Sequence, residues 1–290
     1  MNFNRTIIRF AYVFCAVLCL ASHASAQDLL VPHEHHEWAS FAPGSWKQLR
    51  QTNETFKDGE LVSTSITTST IRLKEVDRDS ILLERSAKSE VRGQVYDKPL
   101  REFRTGLNGQ PPNRIARITL KGNTQIVIYG KSYPCQVREV EIHSDTSKIV
   151  GTVHYSASVA PYLLKKEYEI LSPSSGDIQK KITTEILSLG LPFKVLAEIK
   201  EVAFLKTTEK TATKTIETIE VQSTEVPGFI VANWVTTRDA NNQIIARSTT
   251  EILNYETKLV QDMQTSARSK GLFRNRNSRR VFETPEEKSK

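Results

Sequence analysis

The pentapeptide TTEIL occurs twice in this chain, at residues 183–187 and 249–253. Working outward from it, the chain matches itself at an offset of 66 residues. VGTVHY (150–155) falls on IETIEV (216–221), Pro161 on Pro227, Tyr168 on Trp234, Ile178 on Ile244 and Lys181 on Arg247. No gap is needed from 150–187 to 216–253. The matches preserve apolar, aromatic, proline and turn positions together, which is the pattern of an internal duplication. A fainter copy lies at about 41–73: FAPGSWK (41–47) resembles VAPYLLK (159–165), and Thr67-Thr68 follows.

Each copy reads as β structure. Thr, Ile and Val suit a pleated, half-buried surface. Leu164, Tyr168 and Ile170 share a parity, as do Ile230, Trp234 and Thr236. Polar clusters at 172–177 and 239–243 are hairpin turns. A proline before each central strand suits a strand's first residue, where no ladder donor is lost. A unit is therefore a strand, a proline corner, a second strand, a turn and a third strand carrying Thr-Thr. The expected fold is all-β and mainly antiparallel. It is a large curved sheet or open barrel of duplicated three-stranded units, with few helices. Between the copies, residues 133–143 switch parity between Cys135/Val137 and Val140/Ile142, which a β-bulge near Arg138-Glu139 would reconcile. Residues 193–205 read as a long strand or a three-turn helix, the copied context favouring strand. A sheet of this kind must cover its apolar face with a second sheet, a helix, a partner or a lipid.

The ends differ from the body. Arg5 and Arg9 precede an apolar run over 10–21 and then Ala24-Ser25-Ala26. That is the pattern of a secretory signal peptide cleaved after Ala26. The expected organisation is a signal peptide at 1–26, a flexible His-rich leader at 27–37, a β domain at 38–265 and a basic disordered tail at 266–290. Cleavage leaves Cys135 alone, so no internal disulfide forms and the thiol is expected to act as a small buried hydrophobe. The formal net charge of +7 sits at the ends. The signal holds two arginines, and 266–290 holds eight Lys/Arg against three Glu. The body between is neutral, which argues against a nucleic-acid partner. The protein is expected to be exported, periplasmic or secreted.

Candidate sites are few. His33, Glu34, His35, His36 and Glu37 place three imidazoles and two carboxylates within five residues, types that bind Zn or Cu. So close to the cleavage site, an exposed leader is the expected reading and a metal site the sharper one. His154 and Ser156 would share a strand face, but no nucleophile elbow or orienting Asp accompanies them. The i,i+2 pairs Glu139/Glu141 and Glu167/Glu169, set among Lys and Arg, read as a solvated sheet face. Trp38, Phe41 and Trp46, with Tyr168 and Trp234 of the copies, are candidates for an apolar ligand face. In the tail, Arg274, Arg276, Arg279 and Arg280 follow the small apolar nub Leu272-Phe273 and could meet an anionic envelope surface. No cofactor is expected, and no phosphate loop, dinucleotide fingerprint or paired CxxC is present.

The export signal, neutral β-rich body, long amphipathic strands and lack of a catalytic motif together resemble, in architecture, the periplasmic lipoprotein-carrier (LolA-like) fold. The resemblance implies a curved sheet whose concave face holds an acyl chain or another apolar ligand. The expected function is thus an exported, non-enzymatic binding or carrier protein of the cell envelope. The alternative is an envelope scaffold whose basic tail contacts an anionic surface. A hydrolase with an unfamiliar site ranks third.

Overall fold

The computed structural model describes residues 29–258, apart from 112, 113, 115 and 145. Thirteen antiparallel strands form one sheet. They are β1 (Trp46–Lys57), β2 (Glu60–Val76), β3 (Ser80–Val91), β4 (Gln94–Gly106), β5 (Ala116–Ile128), β6 (Lys131–His143), β7 (Lys148–Tyr155), β8 (Leu163–Leu171), β9 (Ile178–Val195), β10 (Glu198–Lys210), β11 (Lys214–Gln222), β12 (Ile230–Asp239) and β13 (Ile244–Glu256). Their order in the sheet is β4-β3-β2-β1-β13-β12-β11-β10-β9-β8-β7-β6-β5. Two meanders, β1–β4 and β5–β13, are thus zipped together by the β1–β13 ladder. The two edges, β4 and β5, do not pair with each other, so the sheet remains an open roll. The all-β antiparallel expectation holds. Among the described residues the one regular helical piece is a 3-10 turn at His33–His35.

TTEIL lies in β9 and again in β13. Its alternate residues face opposite ways, as period 2 demands: Thr184, Ile186, Thr250 and Ile252 are buried, while Glu185 and Glu251 are exposed. The ladders correct the gapless offset. Six residues separate the paired Leu171 and Ile178, whereas five separate Arg238 and Ile244. The fully buried Leu164 of β8 therefore corresponds to Val231, 67 residues on, while Ile186 corresponds to Ile252 at 66. The likeness also reaches a fourth strand. β6 and β10 have the same length at a spacing of 67. Cys135 and Val202 then take matching places: Cys135 packs with Ile128, Leu164 and Ile186, and Val202 with Val195, Val231 and Ile252.

Two local expectations change, and that for Cys135 holds. Residues 193–205 are neither one strand nor a helix but the tip of the β9–β10 hairpin, turned at Leu196 with φ 56. The bulge lies across the ladder from Arg138, on β5 between Leu120 and Gly122, where a glycine at φ 143 takes the strain. Cys135 is buried, its thiol donating to the Tyr133 carbonyl at 3.4 Å. Burial pushes that thiol up.

The largest correction concerns the leader. Residues 29–45 are packed against the sheet as a strap and supply its cover. At one end Leu30 is buried among Ala116, Val140, Ile142 and Val153. Its amide donates to Asn108 Oδ1 at 2.6 Å, and Arg138 donates to the carbonyls of Leu29 and Leu30 at 2.9 and 2.5 Å. At the other end Trp38, Ala39 and Phe41 pack with Leu73, Ile81, Leu83, Leu107 and Phe229. Ala42 N–H closes the path by donating to the Lys258 carbonyl at 2.8 Å. The strap thus ties the β5–β7 side of the roll to the β1–β3 side.

Gly228 is the pin. It sits at φ 70, and its amide donates to the Glu37 carbonyl at 2.7 Å. A Cβ there would come within 2.6 Å of the Trp38 indole. Gly228→Ala therefore combines a left-handed backbone with a clash, and a loss of about 1–3 kcal/mol is expected. Thermal unfolding checks this. The same substitution at an unhindered turn, such as Gly176 with nothing near its Cβ site, should cost less.

Candidate functional site

The inner face of the roll and the strap line a half-open cavity of about 480 Å³. Cross-strand registers arrange the inner face around it in levels. Ile142, Ile149 and Ile170 form one row across β6, β7 and β8. The next row runs Val140, Gly151, Tyr168, Ile182. The third runs Val153, Lys166, Thr184. Opposite stand Ile81 and Leu83 of β3 and Phe103 of β4, with Leu30, Val31 and Trp38 of the strap as cover. Gly151 makes room for the second row: a Cβ there would lie 2.5 Å from the Tyr168 ring.

Charge gathers at one end. Lys47 on β1 is 3% exposed. Its ammonium donates to the carbonyls of Gly228 at 3.1 Å and Ile230 at 3.3 Å and lies 5.5 Å from the Trp38 ring centroid. Burial brings it down to about 8, against the opposing pull of Glu37 and Glu220. Burial pushes the Glu37 carboxyl up, with Lys47 and Lys166 pulling the other way. The accessible surface of Glu37 opens into the cavity, with protein packed around it. Burial also raises Glu220, opposed first by the hydrogen bond that Gln222 Nε2 donates to it. Lys166 lines the cavity. Among the described residues neither the Lys166 ammonium nor the Glu37 carboxylate has a hydrogen bond or ion pair. The Tyr168 hydroxyl likewise has no hydrogen bond there, and burial pushes it up.

Beyond this cluster the same face turns polar. Glu220, Asn233, Thr250, Gln51, Thr67 and Ser89 follow one another across six strands. The hydroxyls of Thr67 and Ser89 meet at 2.9 Å, and Gln51 donates to Ser248 Oγ at 2.9 Å. Asn233 Oδ1 is buried without a partner. The concave face is therefore apolar over part of its width and polar over the rest, not uniformly apolar.

The sequence-level candidates divide accordingly. Trp38 and Tyr168 line the cavity, and Phe41 lies in the adjoining core. Trp46 and Trp234 do not join them. Each alternates with an inward residue, Lys47 and Asn233. Trp46 Nε1 donates to exposed Glu256 at 2.9 Å, and Trp234 is 41% exposed on the outer face. The three histidines are separated. His33 Nε2 meets the Arg78 carbonyl at 2.9 Å. His35 Nδ1 lies 2.7 Å from the Tyr155 hydroxyl, its ring stacked on Tyr162 at 3.8 Å. His36 Nδ1 accepts from the amides of Trp38 and Ala39, both at 3.1 Å, and burial lowers it to about 4. These contacts pin the strap. Among the described residues no three His, Cys, Asp or Glu gather to hold a metal. Ser156 falls in the corner after β7, not on a strand face with His154. The paired carboxylates sit on the outer face: Glu139 meets Lys121 at 2.7 Å, Glu141 meets Lys148 at 2.6 Å, and Glu169 meets Lys181 at 2.8 Å. Arg274, Arg276, Arg279 and Arg280, like the expected signal segment at 1–26, lie outside the described residues.

Sequence reasoning missed Lys47, Lys166 and Glu220 and did not place Glu37 at the cavity. The available signal was parity: Lys166 shares it with Tyr168 and Ile170, and Glu220 shares it with Thr218 and Gln222.

No protein family and no curated protein sequence matches the chain. Among solved structures, a candidate lipoprotein from Parabacteroides distasonis is 11% identical over 76% of this chain and 98% of that one, with a TM-score of 0.36. A candidate exported protein with a YmcC-like fold from Bacteroides fragilis is 9% identical over 74% and 97%, with a TM-score of 0.29. Neither is named a lipoprotein carrier. At these scores neither likeness carries a function to this chain.

Proposed function

We propose that the chain is an exported, non-enzymatic binding protein of the cell envelope, holding a small apolar or amphiphilic ligand inside its rolled sheet. The observation that carries this is the cavity. Its volume of about 480 Å³ falls within the range of about 300–1,000 Å³ of small-molecule sites. Apolar walls meet a few convergent polar groups at one end, which is how such sites combine affinity with orientation. Both imidazoles that line it, His35 and His36, are engaged by the strap and by Tyr155, which favours holding over turnover. The export pattern at 5–26 supports the location, and the architectural resemblance to lipoprotein carriers points the same way.

The test uses N-phenyl-1-naphthylamine, a probe whose emission rises in apolar surroundings. Wild type is expected to brighten it saturably. Ile149→Trp places an indole in the row of Ile142 and Ile170 and is expected to abolish the rise while circular dichroism stays unchanged. No uptake by folded wild type, or equal uptake by the filled variant, would contradict the proposal.

A further inference from the structure

We infer that the cavity takes a single-chain amphiphile with an anionic head, the head seated on Lys166 beside Tyr168 and the chain running along Ile170, Ile149 and Ile142. This rests on the binding reading above and narrows it to a ligand class.

The levels of the wall give the polarity of the ligand. Moving along the strands from the hairpin end of β8, the lining passes from isoleucines, through a tyrosine, to a lysine. An amphiphile laid along β8 meets the same sequence of surfaces in its own structure. The charge at the far end decides the sign of the head. Lys166 is the cationic side chain among the cavity's lining residues, and no described acceptor satisfies it. The Lys166 side chain is half-buried in the wall, and an arriving anion supplies the acceptor that the described residues do not. The Tyr168 hydroxyl, two residues along on the same face, is a second donor without a described acceptor.

The carboxylates do not reverse this. Glu37 and Glu220 face both Lys166 and Lys47, the latter fixed to the Gly228 and Ile230 carbonyls, so neither carboxylate belongs to Lys166 alone. Gln222 also donates to Glu220. Burial favours the neutral acid at Glu220, and a neutral carboxyl donates to an anion where a charged one would repel it. Glu37 keeps accessible surface, where solvent weakens its repulsion. A cationic head would instead lie against both lysines.

The experiment is displacement of bound N-phenyl-1-naphthylamine from the full chain, purified from an exporting host, below the micellar range. The competitors are dodecanoate, dodecyl phosphate, dodecanol and dodecylammonium. The anionic pair is expected to displace at lower concentration than dodecanol, and dodecylammonium least well. The two anions separate a carboxylate source from a phosphate source, and preference for either supports the inference. Lys166→Met is expected to weaken the preferred anion about tenfold or more, the weight of one hydrogen bond to a charged group, while leaving dodecanol unchanged. Lys166→Arg, which keeps the charge, should retain most of the preference and guards against misreading a folding defect. Equal displacement by dodecanol and dodecanoate, preference for dodecylammonium, or an unchanged anion preference in folded Lys166→Met would overturn the anionic head and leave the cavity reading standing. Failure of folded wild type to bind the probe at all would overturn both.

Discussion

Replacing Trp38 by alanine lowers the unfolding free energy by about 3–5 kcal/mol, the usual range for deleting a buried aromatic side chain. The loss has two parts. The indole is buried against Leu73, Ile81, Leu83 and Phe229, so its transfer energy is forfeited. The surface it covered on Gly228 also cannot collapse, because the backbone there is fixed at φ 70 and bonded to Glu37. Since Trp38 anchors the strap, its removal should also loosen residues 29–45 before the sheet unfolds. Urea titration measures the first effect and limited proteolysis the second. A variant as stable as wild type, with residues 29–45 as resistant to cleavage as before, would mean that the strap does not cover the roll.

Between about pH 8 and 10.5 Lys47 adds stability as pH rises, opposed from about 9 upward by Cys135, whose buried thiol holds its proton longer in the fold. The folded value of Lys47 is about 8 and its ordinary value 10.5. In that window the unfolded chain holds the proton and the folded chain does not, so raising the pH favours the fold. At about 1.4 kcal/mol per unit the full gain is roughly 3 kcal/mol. Below pH 8 the cost of the buried ammonium is present in full. Glu37 and Glu220 act oppositely and lower down. Their folded values are raised, so stability is lost as pH climbs from the ordinary carboxylate value of 4.5 toward those values. Lys47→Met should lack the alkaline rise. Urea midpoints of both proteins across that window test this, and parallel profiles would sink the assignment.

Much of the sheet was legible because period 2 is a local signal. In TTEIL the Thr and Ile that turn inward alternate with the exposed Glu, and the polar clusters at 172–177 and 239–243 mark hairpin turns. The limits of that reading are equally physical. One residue fewer in the second turn displaces β12 by one against the simple offset, and a shift of one flips every side chain to the other face. Tyr168 therefore corresponds in the ladder to Val235. Trp234, which pairs with Tyr168 at 66, points outward.

The strap was illegible for a different reason. The run from His33 to Trp38 has no apolar period, and what fixes it is remote: Asn108, Arg138, Tyr155 and Gly228 are brought to it by the roll. The charged cluster failed in the same way. A Lys or Glu on an alternating strand reads as solvated, because the pattern does not say which face a sheet will close upon. Lys47, Lys166 and Glu220 face inward only once β1, β8 and β11 curve around one cavity.

The central claim is that this cavity exists to be filled. The most direct measurement is native mass spectrometry of the chain from Gln27 onward, purified gently from an exporting host, before and after denaturation. A reproducible added mass matching an amphiphile, lost on denaturation and absent from Ile149→Trp, is the predicted result. A bare chain at its own mass, from preparations that take up no probe, would contradict the account.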